Sequence, residues 1–451
     1  MIATLTIARN TLIESLRQPI VLVVIAISGL LQYLNTAISA YSMGYNRVPG
    51  EVTGDDKLLF DLGLATVFLC GMLLAAFVST ATISREIENK TVLTVVSKPI
   101  SRAAVVVGKF LGVGGAMVIS VAVMICYLLF AMRHGVMSTA SDKVDYVVIT
   151  FSFGPFIASL LLAGFANFFY GWSFPQTSLT ALVPLTLLGY AMTLFISPNW
   201  QFQSLGEHLK PQILITSAAL CLAVLVMSAV AVAASTRLGQ VMTIVVCAGA
   251  FTLGLLSNHL FARSAFTGQS YGFVRSIEPE AERYRGFDEV GDRYIMTLDG
   301  EPDFELLPGL PFRFGPSPEG AGMITPAFAP PAEDLDFSRD LYANDVPPAL
   351  VITNVDGLKV TIKQIGAQPV DLRRLPERGD WCFIDHPRIS WPARLAWSAI
   401  PNMQAFWLVD AVTQASEIPM SHLGLVAAYA VLQILGLLSI AVLLFEGRDV
   451  G

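Results

Sequence analysis

Long apolar runs of helical length alternate with short polar breaks along the first 262 residues, and one further run lies near the C-terminus. A helix needs about 20 mainly apolar residues to cross a bilayer. Runs at 20–38, 58–80, 104–132, 213–234, 241–260 and 423–445 meet that length. The stretch 147–196 is also apolar, but "NFFYGWSFPQT" interrupts it, so it reads as two helices joined by a tight turn. The pattern thus predicts eight spans, with Gly154-Pro155 predicting an early break in the first helix of that pair. Ahead of them, Ile2, Leu5, Leu12 and Leu16 recur at helical spacing, while Arg9, Asn10, Glu14 and Arg17 fall mostly elsewhere. Residues 1–18 are therefore expected as an amphipathic helix in the membrane interface, a helix packed on protein being the alternative. Pro19 turns the chain into the first span, and the start lacks the basic leader of a cleavable signal peptide.

The pattern changes between 263 and 400. A Pro/Gly-rich tract occupies 302–331, and "ALVITNVDGLKVTIKQIG" alternates apolar and polar residues about Asp356-Gly357, which predicts a β-hairpin. Composition sharpens the division. The chain is 54% hydrophobic and only 14% charged, against about 25% charged in soluble domains. Its net charge of −7 resides entirely in 263–400, where 21 acids face 14 bases; the remainder balances. The expected fold class is an all-α polytopic membrane protein with an inserted β-rich soluble domain. Its parts are 1–18, a transmembrane bundle at 19–262, the acidic domain at 263–400, and a last span with a tail at 401–451.

Basic residues near span ends favour the cytosolic side. With the N-terminus cytosolic, Arg9, Arg17, Arg85, Lys90, Lys98, Arg102, Lys109, Arg237 and Arg448 lie inside, against Arg47, Lys57, Arg133, Lys143 and Lys210 outside. Eight spans then put both termini in the cytosol and the acidic domain outside, where it is a surface for an extracytoplasmic partner or a solubilising appendage.

The longest cytosolic loop is 84–102, within "TISREIENKTVLTVVSKPISRAAVVVGKF". It reads as one short helix. Glu86 and Lys90 stand at i, i+4 in the favourable order, and Ile87, Thr91 and Val95 take another face. Pro99 stops that helix, Ser101 is placed to cap the next span, and Lys109 to anchor its cytosolic end. From the residues alone, such a loop is most simply a solvated face.

The ordered set "REIENKT", "KPISR" and "GKF" resembles the ABC-2 type transporter permeases, membrane subunits of ATP-binding-cassette exporters. Its nearest flavour is the multi-copper enzyme maturation group. "AVAASTRLGQVMTIVV", "IPNMQAFWLVDAVTQ" and the closing "LFEGRDVG" are similar to the same family. The resemblance implies a six-helix core, to which 147–196 adds a hairpin, in a permease homodimer or heterodimer of the cell (inner) membrane. It implies that 84–102 is a coupling helix docking on a separate ABC ATPase subunit. Glu86, Glu88, Lys90 and Arg102 would orient it, Ile87 and Val95 would form its apolar ridge, and Thr91 and Pro99 belong to the shared motif.

No stretch fits the Gly-x4-Gly-Lys-Ser/Thr phosphate loop, since Phe110 follows the Gly-Lys of "VVGKFLGVGG". The chain is therefore expected to be no enzyme and to carry no cofactor, ATP being used by the partner; its glycines suit close helix packing instead. "WCFIDHP" brings Cys382, Asp385 and His386 together, but without a second ligand pair it reads as a surface segment. Met117, Met124 and Met132 read as core or lipid-facing rather than copper ligands. Ionisable residues are sparse within the spans, which argues against an ion-coupled transporter. Asn167, Gln176 and Asn258 are the polar exceptions, and nothing points to nucleic acid. The rivals to a permease are a non-transporting membrane anchor or sensor, and a membrane enzyme lacking any nucleophile–base set.

Overall fold

The computed structural model describes residues 2–39, 54–88, 101–136, 144–204, 211–268, 270–281, 291–300, 302, 306–320, 322–325, 348–366, 368–370, 372, 374–409 and 418–446, without side chains at 54–56, 83–88 and 211. Two compact units divide the chain: Met1–Leu255 with Pro401–Gly451, and Leu256–Ile400.

The first unit is helical. Its elements are α1 (Ile2–Leu16), α2 (Pro19–Ile38), α3 (Gly54–Glu88), α4 (Arg102–His134), α5 (Tyr146–Tyr170), α6 (Phe174–Phe195), α7 (Pro211–Ser235), α8 (Gln240–Ser257) and, after the second unit, a 3-10 turn (Met403–Phe406) and the last long helix, Met420–Glu446. Among the described residues, eight helices are long and apolar enough to cross a membrane, which agrees with the eight expected spans. Two boundaries differ from expectation. The second span does not end near residue 80 before a separate loop helix; α3 continues unbroken to Glu88. Nor does Gly154-Pro155 break α5, which runs through Pro155 to Tyr170. A proline leaves the carbonyl four residues back without its helical donor. Here that carbonyl belongs to Phe151, and Gly189 of α6 lies against it, so a glycine lets the neighbouring helix cover the defect. The tight turn after α5 is as expected. Gly171 takes the left-handed conformation at φ 66°, its N–H bonds the Asn167 carbonyl at 3.0 Å, and Pro175 starts α6.

The α4 helix is the central pillar, with Val113, Met117, Val121, Met124 and Leu128 buried against Ile25 of α2, Leu64 of α3 and Val224 of α7. Met117 and Met124 are thus core residues, and Met132 packs partly buried beside them. A second cluster joins Val106 and Phe110 of α4 to Val232 of α7 and to Leu438, Ala441 and Phe445 of the last helix. Two polar contacts tie helices inside the bundle: Gln32, fully buried, donates to the Gly63 carbonyl at 2.9 Å, and Tyr33 bonds Ser152.

The second unit begins where the α8 span continues through a π-helical stretch (Asn258–Ala262) to Arg263–Ala265. Its strands are β1 (Phe266–Thr267), β2 (Ser270–Pro279), β3 (Arg293–Leu298), β4 (Arg313–Gly315), β5 (Ala349–Asp356), β6 (Lys359–Ile365), β7 (Trp381–Phe383) and β8 (Arg388–Ile389). The main sheet has the order β4-β7-β2-β3-β6-β5, and β1 pairs with β8 apart from it. The expected hairpin is β5–β6, with Asp356 opposite Lys359 and Gly357 at φ 58° in a two-residue turn. The sheet also closes on itself. Gly309 N–H bonds the Ile352 carbonyl at 2.7 Å, Ile352 N–H bonds Leu310, and Phe312 N–H bonds Leu350 at 2.7 Å, immediately before the chain enters β4. The result is a small barrel filled by Phe312, Phe314, Val274, Met296, Ile352 and Ile362.

Within it, "WCFIDHP" is not one surface segment. Strand β7 carries Cys382 into the core, 3.9 Å from the Met296 sulfur, while Asp385 and His386, past the end of the strand, are exposed. Burial, and then nearby Asp380, push the Cys382 thiol far above its ordinary pKa, against the thiolate that a metal would need. Asp380 itself accepts two bonds from Arg374, at 2.5 and 2.7 Å, a bidentate pair that ties the 374–380 loop.

Candidate functional site

The expected coupling loop leaves the bundle from α3 and returns through α4. Of the residues assigned to it, Lys90, Thr91, Val95 and Pro99 lie outside the described residues. Glu86, Ile87 and Glu88 belong to the last turn of α3, their side chains undescribed. Arg102 opens α4. What the structure describes is how the two roots of the loop are held.

Ser101 caps α4 as expected, its hydroxyl accepting from Ala104 N at 3.3 Å. Lys109 does not reach for water at the helix end. It is 7% exposed, and its ammonium donates to the Thr82 carbonyl of α3 at 3.0 Å, joining the two loop-bearing helices inside the bundle. Arg102 turns to the last helix. Its guanidinium bonds the Phe445 carbonyl at 3.1 Å and the Glu446 carbonyl at 2.6 Å, and sits 5.9 Å from the Phe445 ring centre. The final carbonyls of a helix have no partner within it and carry the negative end of its dipole, so a cation there is doubly favoured. The loop thus springs from a three-helix clamp of α3, α4 and the last helix. Arg102→Gln is expected to cost about 1.5–3 kcal/mol, the usual value of hydrogen bonds to a charged group, and to raise hydrogen exchange at residues 440–446.

At the same end, α1 lies across α4 through its small residues. A Cβ at Gly108 would stand 2.9 Å from the Thr4 carbonyl, and one at Gly112 would stand 2.5 Å from that of Ala8. Thr11 and Ser15 are buried there, whereas Ile2 and Leu5 are 83% and 59% exposed. Arg17 donates to Gln176 at 2.7 Å beside a half-open polar cleft of about 580 Å³ lined by Trp172, Ser173 and Thr177. Gln176 is thereby a link between α1 and α6, and Asn167 bonds the Trp172 carbonyl at 2.6 Å in the turn.

The opposite end of the bundle holds a different set. Arg133 and Asp145 form an ion pair at 3.6 Å with side chains 3% and 7% exposed, and Arg133 also bonds the Ile196 carbonyl. The side-chain carbonyl of Gln212 accepts from Ile418 N–H at 3.2 Å. An apolar cleft of about 530 Å³ lies between α3 and α8, where Phe68 packs 5.4 Å from Phe251 and 5.9 Å from Trp407. Sequence reasoning counted Arg133 as a loop base and missed both the pair and the clamp at Thr82 and Phe445. Carbonyl partners leave no mark in a sequence; the closely spaced glycines of α4 were the one legible signal.

Among the described residues, no three His, Cys, Asp or Glu side chains are grouped to hold a metal. The architecture is that of a multi-pass membrane protein. Residues 5–174 match the family model described as ABC-2 family transporter protein, as the loop motifs had led one to expect. The matched stretch runs from within α1 to the first residue of α6 and includes the 84–102 loop, so the first helix of the 147–196 hairpin falls inside it. No curated protein and no solved structure matches the chain.

Proposed function

We propose that this protein is the permease subunit of an ATP-driven ABC-2 exporter, coupled through 84–102 to a separate ATPase chain. The observation that carries the reading is the ABC-2 match, which spans both roots of that loop. The clamp at those roots supports it, because a small loop transmits motion only if the helices bearing it move as one. The charges of Glu86 and Glu88 orient the docked loop, and Ile87 and Val95 bury the contact. Arg102, engaged with the last helix, serves this reading as a positioning residue at the root. Even span number and the excess of basic residues at the loop end favour cytosolic termini in the inner membrane, with the acidic unit outside. Two copies, identical or paired with a related permease, would form the pathway.

The test is co-purification with ABC ATPase subunits encoded beside this gene. The wild-type protein should retain one, and Glu86→Lys/Glu88→Lys should lose it while still eluting as a folded membrane protein. Failure of the wild type to bind any ATPase would sink the reading and leave a membrane anchor or sensor.

A further inference from the structure

Between the barrel and the last span lies a nine-residue helix, α9 (Trp391–Ala399), in which no residue is buried. Trp391 and Leu395 are each 66% exposed, and "WPARLAWSA" contains no acid, although it belongs to the acidic stretch of the chain. The start of α9 is pinned: Ser390 N–H bonds the Ala265 carbonyl at 3.0 Å, and Ile389 pairs with Phe266.

From Ser390 the α9 helix runs back along the last turns of the span Gln240–Ala265, in contact with Arg263–Ala265 and with the π-helical stretch Asn258–Ala262. That span has 26 residues, about 39 Å of helix, and exceeds a hydrocarbon core of about 30 Å. Its last turns thus pass from acyl chains to headgroups. A helix lying beside them shares that depth.

We propose that α9 is seated in the bilayer interface, with a lipid surface as its partner. Trp391 and Arg394 sit at headgroup level, where an indole and a snorkelling guanidinium are both favoured. Arg394 is held there over the rings of Phe266 and Trp391, at 5.6 and 5.8 Å. Leu395, one turn deeper, meets acyl chains. This explains an exposed apolar face in a unit otherwise built as a water-soluble barrel.

The test places the photoreactive residue p-benzoylphenylalanine at 395 in the full-length protein, in vesicles of phosphatidylcholine and phosphatidylglycerol. Leu432, 69% exposed on the last helix, serves as the lipid-facing control, and Lys359, at the exposed hairpin turn, as the water-facing one. On irradiation, position 395 should gain the mass of one phospholipid, as 432 does and 359 does not. An adduct with another protein chain instead, or no adduct at 395 while 432 reacts, would overturn the proposal.

Discussion

Asp145→Ala is expected to destabilise the protein by about 3–5 kcal/mol, the cost of leaving one member of a buried ion pair behind. The carboxylate does two things at once. One oxygen faces the Arg133 guanidinium at 3.6 Å, and the other caps α5, accepting from Val147 N at 3.0 Å and Val148 N at 3.1 Å. Alanine removes the cap, worth about 1 kcal/mol, and strands a guanidinium whose side chain is 3% exposed. Asp145→Asn should keep the cap and lose only the charge, so its effect is smaller. Arg133→Met combined with Asp145→Asn should recover most of the loss, because no unpaired charge remains. Thermal unfolding in detergent orders these variants. If Asp145→Ala melts like the wild type, the pair is solvated and the reasoning fails.

The second large effect falls on α1. A Cβ at Gly112 would stand 2.5 Å from both the Ala8 carbonyl and the Thr11 Cβ, and 2.9 Å from Leu12 N. Two of those atoms are backbone and cannot rotate away. Gly112→Ala is therefore expected to cost about 1–3 kcal/mol through overpacking, even though alanine favours a helix by about 1 kcal/mol over glycine. Gly112→Leu should lift α1 off α4 and open Arg9 and Arg17 to trypsin. Gly164 is the control, since a Cβ there meets nothing within 4 Å. Gly164→Ala should leave both melting and digestion unchanged. Equal digestion of wild type and Gly112→Leu would mean that α1 is not seated on α4.

What the sequence made legible follows from the physics of each element. A span announces itself because lipid demands an unbroken apolar run, and a hairpin because Asp356-Gly357 supplies the turn conformation that tight hairpins need. The capping role of Ser101 was equally local, a short polar side chain one residue before a helix. Other features depend on where distant segments meet. Arg133 and Asp145 look like two unrelated loop charges until α4 and α5 bring them together. The extension of α3 through "SREIE" was masked by polarity, which ended the apolar run without ending the helix. Lys109 looked like an interfacial anchor because its partner is a carbonyl, and every residue has one. At the candidate site, the motif located the loop in the chain, but the clamp that holds its roots came only from the packing.

The closure of the small barrel has a consequence for life in a crowded membrane. Copies of one membrane protein share one orientation and diffuse in a single plane, so the soluble units they carry keep meeting on the same side. Under such confinement an open strand edge is a standing invitation to recruit a neighbour's strand. By laying 309–312 along β5, the chain spends its own backbone donors and acceptors at residues 350–352 before another molecule can reach them. Sociability is thereby withheld at the strand edge, and association between copies is left to the faces of the helices.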